Sequence, residues 1–330
     1  MNVLITGAAG FLGSHLTDRY LHDGHMVVGI DNLLTGNLAN LSEATETDAF
    51  RLVEADICED WIGIDHTLRD FRPELILHFA SPASPRDYAR FPLETMSVNS
   101  RGTERCLDAA LQFGSRFVFA STSEAYGDPM ERPQRETYWG NVNPVGLRSC
   151  YDEAKRFGEA LVSTYARVND LDARIVRIFN TYGPRMRADD GRVIPNFVAQ
   201  ALAKQPLTVY GDGDQTRSFC YVDDLVEGVV RCAATDGVRG RVVNLGNPAE
   251  CSIGALARLV CEVAGVPFAA KSLPIPPDDP RSRCPDVSLA HELFGWAPSI
   301  DLKEGLRRTI DYATRSAAMR STAARADATT

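Results

Sequence analysis

Gly7, Gly10 and Gly13 follow directly on the apolar run Asn2-Val3-Leu4-Ile5 and open a helical pattern. A strand that turns sharply into a helix needs glycine where the backbone bends and where the helix presses on the sheet. The first N–H groups of such a helix have no intrahelical acceptor and carry the positive end of its dipole, so the same turn is a seat for an anion such as a pyrophosphate. Read alone, the triplet serves either purpose, packing or anion binding.

The rest of the first half repeats the strand–helix rhythm. Apolar, β-rich runs at Met26–Ile30, Phe50–Val53, Leu75–Phe79, Phe117–Ala120 and Ala173–Ile178 alternate with helical stretches. Continuous apolar strands separated by helices imply a parallel sheet covered on both faces. The expected fold is therefore α/β, a Rossmann-type doubly wound parallel sheet with a smaller, partly interleaved C-terminal lobe. The boundaries read as 1–179 for a dinucleotide-binding domain, with a return segment near 214–245. Residues 180–213 and 246–315 then form the second lobe. Strand-like Leu207–Tyr210 and Val242–Leu245 and helical Pro195–Ala203, Val222–Ala234, Ile253–Ala264 and Leu302–Arg315 belong to this second half. Residues 316–330 lack a sustained apolar face and read as a disordered tail.

Asp31 ends the second strand, where a carboxylate can accept both hydroxyls of a ribose and repel a 2′-phosphate. Its neighbour Asn32 is uncharged and no arginine follows closely. Together with the glycine turn this points to NAD rather than NADP. The candidate cofactor contacts are Gly7, Gly10, Phe11, Leu12, Gly13, Asp31, Asn32, Thr35, Gly36, Asp56, Ile57, Tyr151 and Lys155.

Tyr151 and Lys155 stand at i and i+4 in a helical stretch that runs to about Ala166, so they share a helix face. A nearby ammonium and a cationic nicotinamide ring favour phenolate, and the expectation is a tyrosine pKa lowered from about 10. Such a group can take a hydroxyl proton while the same carbon is oxidised. The spacing alone also suits an ordinary surface helix.

With the glycine turn in place, this pair resembles the extended short-chain dehydrogenase/reductase superfamily over roughly residues 1–315. The resemblance implies NAD in one lobe, a nucleotide sugar in the other, and Thr122 as the hydroxyl that holds the reacting sugar oxygen. Within the superfamily, 4,6-dehydratases carry Thr-Asp-Glu where this chain has Thr122-Ser123-Glu124, and simple 4-epimerases have a small or hydroxyl residue in place of Glu124. The segment is instead similar to UDP-glucuronate decarboxylases. Ser81-Pro82-Ala83-Ser84-Pro85, Tyr138-Trp139-Gly140-Asn141-Val142-Asn143-Pro144, Asn180-Thr181-Tyr182-Gly183-Pro184-Arg185, Gln215-Thr216-Arg217-Ser218-Phe219 and the stretch from Asp278 to Asp286 extend the likeness. Ala125 and Cys284 depart from it, standing where that family often has Val and Lys.

That resemblance implies a catalytic set of Thr122, Glu124, Tyr151 and Lys155. It implies substrate contacts at Ser84, Thr122, Ser123, Glu124, Asn180, Arg185, Arg217 and Arg283. Asn180 and Arg217 would face the diphosphate, and Arg283 the diphosphate or the sugar carboxylate. The implied reaction is conversion of UDP-glucuronate to UDP-xylose through a 4-ketone, with NAD restored in each turnover. A 4-epimerase, a 4,6-dehydratase and a non-catalytic NAD-binding regulator are the competing readings. Family habit further implies a homodimer, with helices around Leu93–Phe113 and Tyr151–Val168 pairing as a four-helix bundle.

A formal charge of −9 with scattered Lys and Arg leaves no basic footprint for nucleic acid. No apolar run approaches the roughly 18 residues of a membrane span. The eight cysteines form no CxxC pair and no close His/Cys cluster, and the expectation is that no signal peptide precedes the first strand. The expectation is a reducing, cytoplasmic compartment with no disulfides and no metal.

Overall fold

The computed structural model describes residues 1–59, 61–274 and 283–327, with side chains described as far as residue 318. Part of the motif read from Asp278 to Asp286, namely residues 278–282, lies outside the described residues.

Seven parallel strands form one sheet. The first six are β1 (Asn2–Thr6), β2 (Met26–Asp31), β3 (Phe50–Glu54), β4 (Leu75–His78), β5 (Arg116–Thr122) and β6 (Ala173–Ile178). The strand Val242–Leu245 returns from the second half of the chain to pair with β6 at the edge. Outward from β1 the chain lays down β2 and β3 on one side, then β4, β5 and β6 on the other. The order therefore reverses between β1 and β4, and a crevice opens there at the carboxyl ends of the strands.

Alternation along each strand sends side chains to two separate cores. Val3 and Ile5 enter the layer that holds Leu16 and Tyr20 of α1 (Phe11–His22) and Leu225 and Val229 of the helix Val222–Ala234. Leu4 enters the opposite layer. There it joins Leu68 of α2 (Ile62–Phe71), Leu107 of α5 (Thr103–Phe113) and Val162 of α6 (Ser149–Val168). Both faces of the sheet are thus covered by helices, which is why its strands are apolar throughout.

The glycine turn is sterically determined. Gly7 has φ +74, and a Cβ on it would lie 2.8 Å from the backbone of Ala80; a Cβ on Gly13 would lie 2.0 Å from the Gly7 carbonyl oxygen. Three small two-stranded sheets pair Thr181–Tyr182 with Cys220–Tyr221, Thr216–Ser218 with Glu250–Ser252, and Leu207–Tyr210 with Ala270–Leu273. Thr216–Ser218 and Cys220–Tyr221 thus pair with second-lobe segments, although the sequence reading put them in the return segment 214–245. The last helix spans Leu302–Asp327, longer than the Leu302–Arg315 stretch read from the sequence and running into the segment expected to be a tail. Among the described residues no helix is long and apolar enough to cross a membrane.

Candidate active site

The carboxyl ends of β1 to β6 open onto one continuous cleft with two ends. One end is lined by Gly7, Gly10, Asp31, Asn32, Thr35, Gly36, Asp56 and Ile57. Asp31 is buried there, its Oδ2 accepting from Ala9 N at 2.9 Å and its Oδ1 from Leu33 N at 2.8 Å. Burial raises its pKa, while these two N–H groups act in the opposite direction. Asn32 donates to Asp56 Oδ2 at 2.8 Å, which fixes the neighbouring wall. Gly10 lines both ends of the cleft, and a Cβ on it would meet only one protein atom within 4 Å, the Gly7 carbonyl oxygen at 3.1 Å. Packing is tight on that one side and open toward the cleft. The missing side chain keeps the helix N-terminus open to a ligand, which fits a dinucleotide pyrophosphate.

The wider end is a cavity of about 740 Å³ between the two lobes. It is lined by Phe11, Leu12, Gly13, Ser84, Thr122, Ser123, Glu124, Tyr151, Lys155, Asn180, Arg185, Arg217 and Arg283. The fold therefore brings every candidate residue named from the sequence to one end of the cleft or the other. Thr122 ends β5, and its hydroxyl accepts from Glu124 N at 3.2 Å, closing the short turn Ser123–Tyr126. Ser84 caps the short helix α3 (Pro85–Arg90) by accepting from Asp87 N at 3.1 Å. Arg185 has φ +66 and pairs with Asp18 of α1 at 2.6 Å, so its guanidinium is engaged with the first lobe.

Tyr151 and Lys155 share the inner face of α6, but their protonation differs from the sequence expectation. Burial pushes the Tyr151 phenol up to about 12, against the opposing effects of the Thr122 hydroxyl and the Arg192 charge. Burial also brings the Lys155 ammonium down to about 7, with only Glu159 acting the other way. Its Nζ donates to the Ala120 carbonyl oxygen at 2.8 Å and sits 6.0 Å from the Tyr151 ring centroid. The i, i+4 spacing correctly places the two groups together. It does not anticipate a pocket dry enough to penalise both charges.

Glu124 forms a two-point ion pair with Arg283 and a further pair with Arg148. Burial alone would raise its pKa, but Arg283 and then Arg148 outweigh it and hold the carboxyl well below the usual range. Arg283 also donates from Nη1 to the Ser123 hydroxyl at 3.0 Å. The turn after β5 thus carries an ionised carboxylate and two guanidinium groups in a cleft that also holds a buried phenol. Redox chemistry on a sugar hydroxyl and recognition of an anion are both accommodated.

The sequence matches the NAD dependent epimerase/dehydratase family over residues 3–246. The chain belongs to this family. It is 48% identical over 316 residues to UDP-glucuronic acid decarboxylase 1 of Arabidopsis thaliana, covering 96% of this chain and 70% of that protein. It is 46% identical over 311 residues to UDP-glucuronic acid decarboxylase 1 of Xenopus tropicalis, covering 94% and 71%. Among solved structures, the UDP-glucuronic acid 4-epimerase of Bacillus cereus in complex with UDP-glucuronic acid and NAD superposes with a TM-score of 0.86 at 28% identity, covering 96% of this chain and 99% of that one. Membership of an NAD dependent epimerase/dehydratase family makes NAD the cofactor, in accord with the open glycine turn and the placing of Asp31.

Several residues of this family member's site were not singled out in the sequence. Arg148 stands on the residue before α6 and clamps Glu124. Tyr88 stacks on Tyr151 with ring centroids 5.0 Å apart and planes 10° apart. Arg192 lines the cleft and acts on the Tyr151 phenol. Only Arg148 had a local signal, three residues ahead of Tyr151 and four ahead of Asp152. Among the described residues no group of three His, Cys, Asp or Glu is placed to hold a metal ion.

Proposed function

We propose that this chain converts UDP-glucuronate to UDP-xylose and carbon dioxide. One observation carries the reading: two guanidinium groups, Arg283 and Arg148, converge on the turn Ser123–Tyr126 in the cleft that holds Tyr151. Glu124 offsets only one of the two positive charges, so the turn can take a further anion, which suits the C6 carboxylate of a uronate sugar. The named decarboxylases among the relatives support the same choice.

NAD, when bound, supplies the reversible two-electron oxidation at the sugar C4. Tyr151 takes the proton of the 4-hydroxyl, and Thr122 holds the same oxygen. The ketone formed is β to the C6 carboxylate, so the C5–C6 bond can break with its electron pair delocalised into an enolate. Tyr151 and Thr122 stabilise the enolate oxygen. Ser123 and Arg283 hold the carboxylate before it leaves, while Glu124, held ionised, keeps the arginines in register and orients water near C5. Asn180 and Arg217, on the second-lobe wall, bind the diphosphate.

The test is incubation of the purified protein with UDP-glucuronate. UDP-xylose and carbon dioxide should form without net accumulation of reduced cofactor. UDP-galacturonate with its carboxylate intact would favour the 4-epimerase reading instead.

Two finer features belong to the same proposal. The protein works as a homodimer, supported by the exposed apolar side chains of Leu93, Met96 and Phe157 on neighbouring helices. It works in a reducing cytoplasm, supported by eight cysteines that are all free, several of them deep in the core.

A further inference from the structure

The geometry points to Asp152 as a positioning residue that takes up one proton when the ligand's carboxylate enters the cleft and gives it up when that carboxylate has gone. The inference rests on a carboxylate-bearing sugar nucleotide as the substrate.

Asp152 directly follows Tyr151 on α6, is buried, and does not itself line the cleft. Its Oδ1 has no hydrogen-bond partner among the described residues, and its Oδ2 lies 3.9 Å from Arg148 Nε, beyond hydrogen-bonding distance. The Arg148 guanidinium is turned to Glu124 instead. The groups that face Asp152 are Arg148, Cys150, Glu153 and the phenol of Tyr151 from its own helix region, Glu124 from the turn after β5, Arg283 from the second lobe, and the phenol of Tyr88 from α3. A buried carboxylate with an orphaned oxygen beside a second carboxylate favours its acid form. Burial first and Glu124 second raise the Asp152 pKa to about 7, with Arg148 and Arg283 opposing.

An incoming carboxylate must share Arg148 and Arg283 with Glu124, which adds one negative charge to the cluster. Glu124 is a poor site for the compensating proton, because both arginines hold it ionised. Asp152 is beside it, and burial together with the Glu124 charge favours its acid form. The count also matches the chemistry. Breaking the C5–C6 bond releases neutral carbon dioxide and leaves an enolate, and protonation of C5 then consumes one proton per turnover. The negative charge passes from the carboxylate beside the arginines to the enolate as carbon dioxide leaves, and is lost when C5 takes up its proton. The cluster is then relieved and Asp152 returns its proton.

The test uses the NAD-loaded protein carrying Tyr151→Phe, which blocks turnover, titrated calorimetrically in buffers of different ionisation enthalpy. At about pH 8, above the free-state pKa, UDP-glucuronate should bind with uptake of a large fraction of one proton and UDP-glucose with almost none. At about pH 6 the uptake should fall away, because Asp152 is already protonated. Adding Asp152→Asn should abolish the uptake at pH 8 while UDP-glucuronate still binds. Uptake unchanged by Asp152→Asn, or no uptake at any pH in the Tyr151→Phe protein, overturns the inference, and the second result needs no further variant. In the enzyme with Tyr151 intact, KM for UDP-glucuronate should rise above neutral pH and lose that rise in Asp152→Asn, with kcat within a few-fold. Failure of the functional reading looks different: the unmodified enzyme would release no carbon dioxide from UDP-glucuronate.

Discussion

Arg283 and Glu124 stand 159 residues apart in the sequence and form a two-point ion pair, which ties the second lobe to the turn at the end of β5. The Glu124 side chain is 16% exposed and that of Arg283 4%, so this pair is largely out of water. Removing one member of a buried pair costs more than the pair itself contributes, because the other charge is left behind. Glu124→Gln should therefore lower unfolding stability by about 3–5 kcal/mol, read from denaturant titration. Because the ionised carboxylate also orients water near C5, decarboxylation and C5 protonation should slow more than oxidation at C4. Nicotinamide absorbance in a single turnover would then show reduced cofactor accumulating. Normal turnover in Glu124→Gln would remove that role.

Tyr151→Phe keeps the ring stacked on Tyr88 and removes the ionisable oxygen. Oxidation at C4 should fall by roughly 10²–10⁴, the usual loss for a positioned acid–base group. Since burial raises the phenol to about 12 before cofactor and substrate arrive, the anion is scarce at neutral pH. The rate of the first half-reaction should therefore climb with pH in the parent and lose that climb in the variant. A parent rate independent of pH would place the proton elsewhere.

Lys155 offers a case in which function opposes stability. Its pKa is depressed from 10.5 to about 7 by burial. The folded state therefore disfavours the charged form, and the penalty is full below about pH 7. It fades as pH rises from there toward the unfolded value. Lys155→Met should raise the melting temperature of cofactor-free protein at neutral pH. The lost bond to Ala120 costs only about 1 kcal/mol, less than the several kcal/mol implied by a shift of this size. The gain should shrink as pH approaches about 10, while activity drops. A variant less stable than the parent at pH 7 contradicts the argument.

Strand period and glycine placement make the sheet legible in the sequence. The run Val3-Leu4-Ile5 feeds two cores by simple alternation, and Gly7 and Gly13 are required by close backbone approach. Tyr151 and Lys155 are legible for the same kind of reason, a helical period that any α-helix imposes. The Arg148–Glu124–Arg283 cluster is not, because its members come from three segments that only the tertiary fold brings together. The stacking of Tyr88 on Tyr151 is hidden likewise. Dielectric environment has no period, so the altered ionisation of Tyr151 and Lys155 leaves no trace in the sequence. The last helix runs past its expected end because its apolar face stops early, while its Ala- and Arg-rich continuation has high helix propensity.

Asp31→Ala should improve NADP binding relative to NAD, since it removes the charge that repels a 2′-phosphate. The substitution also releases Ala9 N and Leu33 N from their acceptor, so both cofactors should bind more weakly in absolute terms. The ratio of the two dissociation constants is the informative quantity. An unchanged ratio would mean that Asp31 holds the loop and leaves cofactor choice to other residues.

The proposed dimer predicts where a single charge will be most disruptive. Phe157 lies on α6 with 51% of its surface exposed, and Leu93 and Met96 of α4 (Pro92–Ser97) expose 73% and 48%. The helices α4 and α6 pack on one another, which places these side chains on neighbouring elements. Burying such side chains against their symmetry mates stabilises association by roughly 25 cal/mol per Å² of apolar area removed from water. A carboxylate at the same place would have to be desolvated opposite its own copy. Phe157→Glu should therefore shift the protein to monomer in light scattering at micromolar concentration while leaving the fold intact by circular dichroism. A parent protein that is already monomeric under those conditions would dispose of the helix-bundle dimer.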